Sequence, residues 1–270
     1  MKRLVAASFL IAFAQSGFAE EAKRVNPLTD TGSWSELRYD LVGDVVLQDG
    51  AHLFDVEAPY RANDAATVPI VITKTDLAAP PISRAMLVID ENPAPMAADF
   101  SFGEAMEPLK FEVRVRVNSY SNVRVIAETE DGTFMHGRYV KASGGCSAPA
   151  TKEPDLALAD MGQMRLHVFG DTPAMSNQRR EAQIMIRHPN YSGLQRDQIT
   201  QLFINAHFIH KLDVFQGDDM LFTMDGGISI SENPVFRFDY TDNGAPALRV
   251  RIEDTEGNIF ERTLAKIPQS

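Results

Sequence analysis

The sequence contains a single cysteine, Cys146, and a thiol is the side chain here that is best suited to covalent chemistry. Gly144 and Gly145 precede it, and a stretch of small residues and proline follows it. This setting is typical of a flexible, exposed tether, because a structural cysteine is ordinarily buried as a small apolar side chain. Such a thiol would act as a nucleophile through its thiolate. The alternative is an incidental exposed thiol, and both interpretations remain open at this point.

The nearest basic residues before the cysteine are Arg138 and Lys141. They would lower the thiol pKa only if a rigid backbone held them beside Cys146, and a glycine tether is not rigid. We therefore expect an exposed thiol that titrates at about 8.5. Such a thiol suits a carrier, whose partners activate it, better than a catalyst, which must activate its own nucleophile. Sulfenate formation or a mixed disulfide, including a disulfide-linked dimer through Cys146, is its expected oxidation product.

Six histidines raise the question of a metal site. His207 and His210 are three residues apart, a spacing that places them on opposite faces of a strand. His188 precedes Pro189 and indicates a turn. Because there is one cysteine and no helical His-Glu pattern, we predict no metal site and no bound cofactor.

Four carboxylates, those of Asp90, Glu91, Asp239 and Asp242, lie near predicted strand ends, where solvated charge is ordinary. The sequence has no glycine-rich phosphate loop, no Ser-His-Asp order and no dinucleotide fingerprint. These observations favour a protein that is not an enzyme.

The first nineteen residues have the pattern of an export signal. Lys2 and Arg3 are followed by an apolar stretch at residues 4–14, and small residues occupy the cleavage positions at 17 and 19. The stretch is too short to cross a bilayer, which takes about 20 residues. We therefore predict a signal peptide at residues 1–19, a periplasmic location and no membrane insertion. A lone cysteine in an exported chain cannot form an intrachain disulfide.

The formal net charge is −11, and removal of Lys2 and Arg3 with the signal makes it more negative. An acidic surface repels nucleic acid phosphates and anionic lipids. We therefore expect no nucleic acid partner and no anionic membrane surface as a partner.

The remaining chain is predicted to be all-β apart from one short helix at residues 34–41, with Ser33 as its N-cap and Glu36 three residues later. Short apolar or alternating runs separated by turn residues, such as Asp131-Gly132, indicate antiparallel sandwiches. The predicted strands are at residues 67–73, 85–90, 111–117, 123–129, 134–140, 163–169, 182–187, 200–205, 207–214, 220–224, 234–240, 248–254 and 259–264. We predict two β-sandwich domains in tandem, at 27–145 and 158–268, joined by a cysteine-bearing linker at 146–157.

Motifs in a fixed order run through both halves of this chain. The first half has Val-Pro-Ile-Val-Ile at 68–72, Val-Ile-Asp-Glu-Asn-Pro-Ala-Pro at 88–95, Arg-Val-Arg-Val at 114–117, and Gly-Gly-Cys at 144–146. The second half has Ile-Arg-His-Pro at 186–189, Ala-His-Phe-Ile at 206–209, Ile-Ser-Glu-Asn-Pro at 230–234 and Asp-Thr-Glu-Gly at 254–257. Together they resemble the sulfur-oxidation carrier family SoxYZ, with a SoxY-like part followed by a SoxZ-like part.

The resemblance implies immunoglobulin-like sandwiches and a mobile Gly-Gly-Cys-Gly-Gly arm whose cysteine carries sulfur intermediates between periplasmic enzymes. By this resemblance Cys146 is the covalent carrier residue, and Gly144 and Gly145 are its tether. Fused chains similar to this one are associated with quinoprotein (PQQ-dependent) dehydrogenase systems. The implied partners are therefore a quinoprotein dehydrogenase, a cytochrome or Sox-type enzymes.

The sequence departs from the family pattern directly after Cys146, where Ser147-Ala148-Pro149 and a second domain replace two glycines and a chain end. A tether fixed at both ends reaches less far than a free tail, and proline stiffens it. The thiol is therefore expected to meet a shallow or wide cleft of its partner. The alternative is a docking or assembly module for a periplasmic dehydrogenase or cytochrome, with an incidental cysteine.

Overall fold

The protein is described here by a computed structural model, in which residues 26–29, 32–150, 154–170 and 177–266 are placed. The predicted signal peptide and residues 151–153 of the predicted linker lie outside the described residues. Strands account for most of the regular structure. The predicted all-β fold with one short N-terminal helix is confirmed. None of the helices in the placed ranges combines the length and apolar character needed to cross a membrane.

The first half begins with helix α1 (Ser33–Val42), as the sequence predicts. The predicted N-cap is wrong, because Gly32 occupies the capping position with a φ of 82°, and no side chain among the described residues forms a capping hydrogen bond. The Ser33 hydroxyl instead donates a hydrogen bond to Glu91 Oε1. The strands of this half are β1 (Leu47–Asp49), β2 (Phe54–Glu57), β3 (Val68–Lys74), β4 (Arg84–Ile89), β5 (Met96–Phe102), β6 (Lys110–Val115), β7 (Ser121–Thr129) and β8 (Gly132–Val140).

The second half begins with a short helix, α2 (Pro154–Ala159), inside the predicted linker. The predicted strand at 200–205 is wrong. These residues follow a turn in which Asp197 Oδ1 accepts hydrogen bonds from the backbone N–H groups of Ile199 and Thr200, at 3.1 and 2.7 Å. The strands are β9 (Met164–Val168), β10 (Gln178–Ile186), β11 (Ile209–Gln216), β12 (Asp219–Gly226), β13 (Val235–Asp242), β14 (Ala247–Asp254) and β15 (Ile259–Ala265).

Both sheets run through both halves. The larger has the order β1-β8-β7-β4-β5-β12-β11-β14-β15, and the smaller has the order β2-β3-β6-β13-β10-β9. The halves join where β5 pairs with β12, with Phe102 opposite Phe222, and where β6 pairs with β13, with Phe111 opposite Phe238. The two sandwiches are therefore connected edge to edge by backbone hydrogen bonds, in addition to the covalent linker.

A cluster of buried phenylalanines fills the core where the halves join. The ring centroid of Phe111 in the first half lies 4.9 Å from that of Phe100 and 5.1 Å from that of Phe222 in the second half. Edge-to-face packing of this kind adds about 1 kcal/mol per pair beyond the burial of the rings. This packing fixes one half against the other and therefore fixes any site that lies between them.

Two carboxylates that the sequence predicted to be solvated are buried. Asp90 accepts hydrogen bonds from Arg124, with Nε at 2.8 Å from Oδ1. Asp242 accepts hydrogen bonds from Lys266 Nζ at 2.6 Å and from Arg180 Nη1 at 3.1 Å. Buried carboxylates persist when a cation and hydrogen bonds compensate for the lost water. The alternation of apolar and polar residues along a single strand does not reveal that these carboxylates are buried, because their partner cations come from other segments of the chain.

Candidate functional site

Cys146 lies in a single 3-10 turn, Gly145–Ser147, and its side chain is fully buried. The predicted exposed tether is therefore wrong for this arrangement. The backbone N–H of Gly144 donates to Asn118 O at 2.8 Å, and that of Gly145 donates to Val117 O at 3.2 Å. We call residues 144–147, held in this way, the cysteine turn. Because the thiol is buried there, the structure gives no support to a disulfide-linked dimer.

The two glycines allow the turn to pack closely. A Cβ atom on Gly145 would lie 2.1 Å from Ala65 O and 2.7 Å from Val117 O, far inside van der Waals contact. Gly144 has a φ of 76°, in the left-handed region that glycine adopts without strain. The glycines that were predicted to give a mobile tether therefore also allow a fixed, closed position.

The second half of the chain holds the cysteine turn from the other side. The buried Ser192 hydroxyl donates to the carbonyl oxygen of Cys146. Gln195 Nε2 donates to Ala148 O at 2.9 Å. Cys146 is therefore enclosed between the two halves, and its exposure requires these contacts to break.

Removing the Ser192 hydroxyl is expected to loosen the turn. In Ser192→Ala the buried Cys146 carbonyl loses its donor, and such a loss costs about 1–2 kcal/mol. We expect a thiol-labelling reagent to modify Cys146 about tenfold faster under native conditions. Ser147→Ala is the matched control, since the exposed Ser147 makes only a 3.3 Å hydrogen bond to Gly144 O. Equal labelling rates for the two variants would contradict the clamping role of Ser192.

The electrostatic surroundings of Cys146 differ from those predicted. Burial raises the pKa of the thiol above its usual range, and the nearby guanidinium of Arg116 partly offsets this. Arg138 pairs with Asp55, and Lys141 lies over the ring of Tyr60. Neither of these two predicted cations therefore lowers the pKa of the Cys146 thiol. The expected ordinary thiol pKa is therefore wrong for the closed arrangement.

Arg116 is the residue near Cys146 that the sequence analysis missed. It follows β6 and is 1% exposed. Its Nη1 donates to Ile230 O, and to Ile228 O at 3.3 Å, whereas its buried Nε has no hydrogen-bond partner among the residues described. The alternation of charged and apolar residues at 112–117 indicated a solvent-facing side chain. The strand instead ends before Arg116, and the Arg116 side chain lies at the junction between the two halves.

A second polar cluster holds the loop that contains Ser192. His188 Nε2 lies 3.3 Å and His207 Nε2 lies 2.8 Å from Asp254 Oδ2. His188 Nδ1 accepts a hydrogen bond from the backbone N–H of Asn190 at 3.0 Å, so the proton of the neutral ring is on Nε2 and is donated to Asp254. Sequence analysis missed this pairing because the three side chains come from separate segments.

The ligand-type atoms of His188, His207 and Asp254 lie within 4.8 Å of one another, so their spacing could accommodate a cation. The hydrogen bonds among these residues account for the cluster without a bound cation. Asp254 also accepts a hydrogen bond from Asn258 N at 2.9 Å. These interactions hold the pKa of Asp254 at about 2 despite its burial, and burial lowers the pKa of His188 to about 4. We interpret the cluster as a structural support for the loop.

A shallow surface groove of about 230 Å³ lies next to the cysteine turn. Ser147 and Pro149 line one side, and Leu194 and Arg196 are among the residues that line the other. Phe203, whose ring lies under the guanidinium of Arg196 at 4.0 Å, is exposed nearby. Ser147 and Pro149, which follow Cys146 closely, therefore both border this groove.

Comparison with known proteins supports this description of the halves. Residues 38–146 match the family model for sulfur oxidation protein SoxY, and residues 171–265 match that for sulphur oxidation protein SoxZ. The two matches together cover about three quarters of the chain. The SoxY match ends at the cysteine. The prediction of a SoxYZ-like chain with immunoglobulin-like domains is confirmed.

Two solved structures align with parts of this chain at low similarity. The sulfur carrier protein SoxY from Chlorobium limicola f. thiosulfatophilum is 21% identical, with a TM-score of 0.35; the alignment covers 41% of this chain and 92% of that one. A BSP domain of a biofilm-associated protein is 10% identical, with a TM-score of 0.26, over 81% of this chain and 30% of that one. No curated protein sequence matches significantly. By its two family matches, the chain belongs to the SoxY and SoxZ sulfur-oxidation carrier families and combines both in one polypeptide.

Proposed function

We propose that this protein is a periplasmic covalent carrier that holds a sulfur-containing or other intermediate on Cys146 and presents it to partner enzymes. The observation that carries the proposal is the coincidence of the chain's single cysteine with the end of the SoxY match. The SoxY and SoxZ families are carrier and partner proteins rather than catalysts. Arg116, the charged group coupled to the thiol, is not a general base, which supports a protein that is not an enzyme.

The closed cysteine turn defines one state of the carrier cycle. A buried thiol with a raised pKa reacts slowly, and an intermediate bound there would be shielded from water and from unrelated thiols. Loading and unloading then require the turn to leave its position. The hydrogen bonds described above that hold it involve no strand of either sheet, so opening is a local event that leaves both sheets intact.

The covalent connection limits how far the open turn can reach. Residues 141–143 tie it to β8, and the chain continues into α2 at Pro154 only eight residues after Cys146. An extended chain spans about 3.3 Å per residue, and both ends of this one are anchored. The partner must therefore approach the cysteine, and the groove beside Ser147 and Pro149 is the surface from which it would do so.

The proposed partners are periplasmic redox enzymes. Sox-type carriers work with Sox enzymes, and we extend this to a quinoprotein dehydrogenase or a cytochrome on the basis of the fused SoxY–SoxZ arrangement. The export pattern in residues 1–19 supports the periplasmic location.

A second function, that of a docking or assembly module with an incidental cysteine, is favoured by one observation. Cys146 is fully buried, as a cysteine without a chemical role would be. In that case the exposed apolar side chains of Ile199, Leu202 and Phe203 would form the docking surface.

Intact-protein mass spectrometry separates the two functions. The protein is purified from its native cell envelope without reductant, together with a Cys146→Ser variant. A carrier shows a mass adduct that the variant lacks, and cells with the variant lose growth on the substrate that induces the protein. A bare thiol under inducing conditions, combined with normal growth of the variant, would refute the carrier function.

A further inference from the structure

The buried ring of His188 forms a hydrogen bond at each of its two nitrogens. Nε2–H donates to Asp254 Oδ2 at 3.3 Å, and Nδ1 accepts from the backbone N–H of Asn190 at 3.0 Å. A second proton, which would make the ring cationic, has to bind at Nδ1. There it would face the N–H of Asn190, so two donors would oppose each other at 3.0 Å. This backbone conformation therefore suits a neutral His188 and conflicts with a protonated one.

Asn190 depends on this contact because it is fully buried and has a φ of 42°, in the left-handed region. Its side chain is fixed as well, since Nδ2 donates to Ser231 O at 2.9 Å and Oδ1 accepts from Ile209 N at 3.0 Å. Loss of the His188 acceptor would leave a buried backbone N–H without a partner, which native structures avoid. Protonation of His188 therefore destabilises the position of Asn190 and of the residues that follow it.

The residues that follow Asn190 hold the cysteine turn. Ser192 lies two positions later, and its hydroxyl donates to the carbonyl oxygen of Cys146. Gln195 Nε2 donates to Ala148 O at 2.9 Å, and Gln195 Oε1 accepts from Ser192 N at 3.2 Å. The two residues that hold the turn are therefore bonded to each other and follow Asn190 closely in the chain. A displacement of Asn190 acts on both of their contacts with the turn.

We propose that His188 is a pH switch for the cysteine turn, in which a proton from solvent binds Nδ1, displaces the Asn190 N–H, and releases residues 190–195 so that Cys146 becomes exposed. We call residues 188–195 the His188 loop. Loss of the proton reverses the step, and no bond other than the N–H bond is formed or broken. The inference extends the proposed carrier function, because it gives a condition under which the carrier presents its thiol.

The surroundings of His188 set the pH range of the switch. Burial lowers the pKa of its ring to about 4 from the usual 6.5. The carboxylate of Asp254, at the end of β14, opposes this effect, whereas His207, before β11 and with its ring centroid 5.0 Å away, adds to it. Glu232, before β13, directly precedes the residue that hydrogen-bonds the backbone of His188, and Arg187 beside it is exposed. The open loop therefore binds the proton more tightly than the closed one, and acidification favours opening.

The switch is tested by the rate at which methyl methanethiosulfonate, an uncharged reagent, modifies the single thiol at different pH values. At each pH the rate constant of the folded protein is divided by that of the protein unfolded in urea, which cancels the titration of the thiol itself. We expect this ratio to rise about 20-fold from about pH 7.5 to about pH 5, because the open loop gains a proton on His188 over this range. A ratio that does not change with pH would overturn the proposal.

The variant His188→Asn removes the titrating ring and keeps an acceptor for the Asn190 N–H, because an asparagine side chain accepts from the backbone N–H two residues later in an Asx-turn. We expect its labelling ratio to change less than about threefold over the same pH range. His136→Gln is the matched control, since His136 lies on β8 in the first half and burial also lowers its pKa. It should keep the response of about 20-fold. A full response in His188→Asn, or its loss in His136→Gln, would contradict the switch.

Hydrogen exchange in the wild-type protein shows whether the release is local, and it decides the question if His188→Asn does not fold. At about pH 5, residues 190–195 and the cysteine turn should lose protection together, after correction for intrinsic exchange rates, while β7 and β13 keep theirs. Loss of protection in the turn without the His188 loop, or in all segments at once, would refute a local switch.

These measurements use the unmodified thiol in vitro and do not depend on loading in cells, whereas the adduct in native material reports on loading alone. The carrier function can therefore fail while the pH switch stands, and the reverse.

Discussion

Replacing Gly145 by alanine is expected to force the cysteine turn open and to raise the rate of Cys146 labelling by about 100-fold. The added methyl group would lie 2.1 Å from Ala65 O, and both contacting atoms are backbone oxygens that cannot rotate away. The clash disappears only if the turn leaves its position. The measurement is the second-order rate constant for modification of the single thiol by an aromatic disulfide reagent under native conditions.

Gly144→Ala is the matched control for this experiment. Gly144 has open space where a Cβ would lie, with Ser147 Oγ, at 3.9 Å, as the nearest atom of the described residues, but its φ of 76° is strained for alanine. Strain of this kind costs about 1 kcal/mol, so we expect a labelling increase of about fivefold. If Gly144→Ala matches or exceeds Gly145→Ala, the close fit of Gly145 is not what keeps the turn closed.

The fold of this protein was largely predictable because its strands have simple patterns. The alternation at 248–254 and 234–240 reappears as β14 and β13, with every second residue buried. Strand β5 was missed because small and polar residues interrupt its apolar ones, and it is buried by the strands on both sides of it. The edge-to-edge joining of the halves could not be predicted, since a strand pattern does not identify the neighbouring strand.

The candidate site was predictable in its central residue but not in its environment. A lone cysteine after two glycines is visible in the sequence, whereas its burial depends on carbonyl groups of Ala65 and Val117, far away in the chain. The role of Arg116 depends on where β6 ends, and the role of Ser192 on how the second half packs. These features depend on tertiary packing, whereas the local composition around the cysteine wrongly predicted an exposed thiol.

Acidification is expected to destabilise the protein between about pH 6.5 and pH 4 through His188. Burial lowers the pKa of this side chain from 6.5 to about 4, so the folded protein keeps it neutral while the unfolded chain binds a proton. The unfolded state therefore binds more protons in this window, and the free energy of unfolding falls as the pH falls. A shift of this size corresponds to about 3 kcal/mol.

Asp254 affects the free energy of unfolding in a lower pH range. Its pKa is about 2 in the folded protein and 3.8 otherwise, so its contribution is complete above pH 3.8 and is lost as the pH falls toward 2. Urea unfolding at a series of pH values separates the two pH ranges. The loss between pH 6.5 and pH 4 reports on His188 together with His136, whose pKa burial also lowers, and the further loss below pH 4 reports on Asp254 together with Asp242 and Glu181, whose pKa values are lowered as well.

The variant His188→Gln should be less stable than the wild type at neutral pH, because it loses the buried hydrogen bonds to Asp254 and Asn190. Its stability should also change much less between pH 6.5 and pH 4, because the titrating ring is absent. His210→Gln is the control, since the His210 side chain is 33% exposed and lies 3.7 Å from Glu253. A wild-type slope retained in His188→Gln would show that another group causes the acid sensitivity, and that the loop carrying Ser192 is not held by a neutral His188.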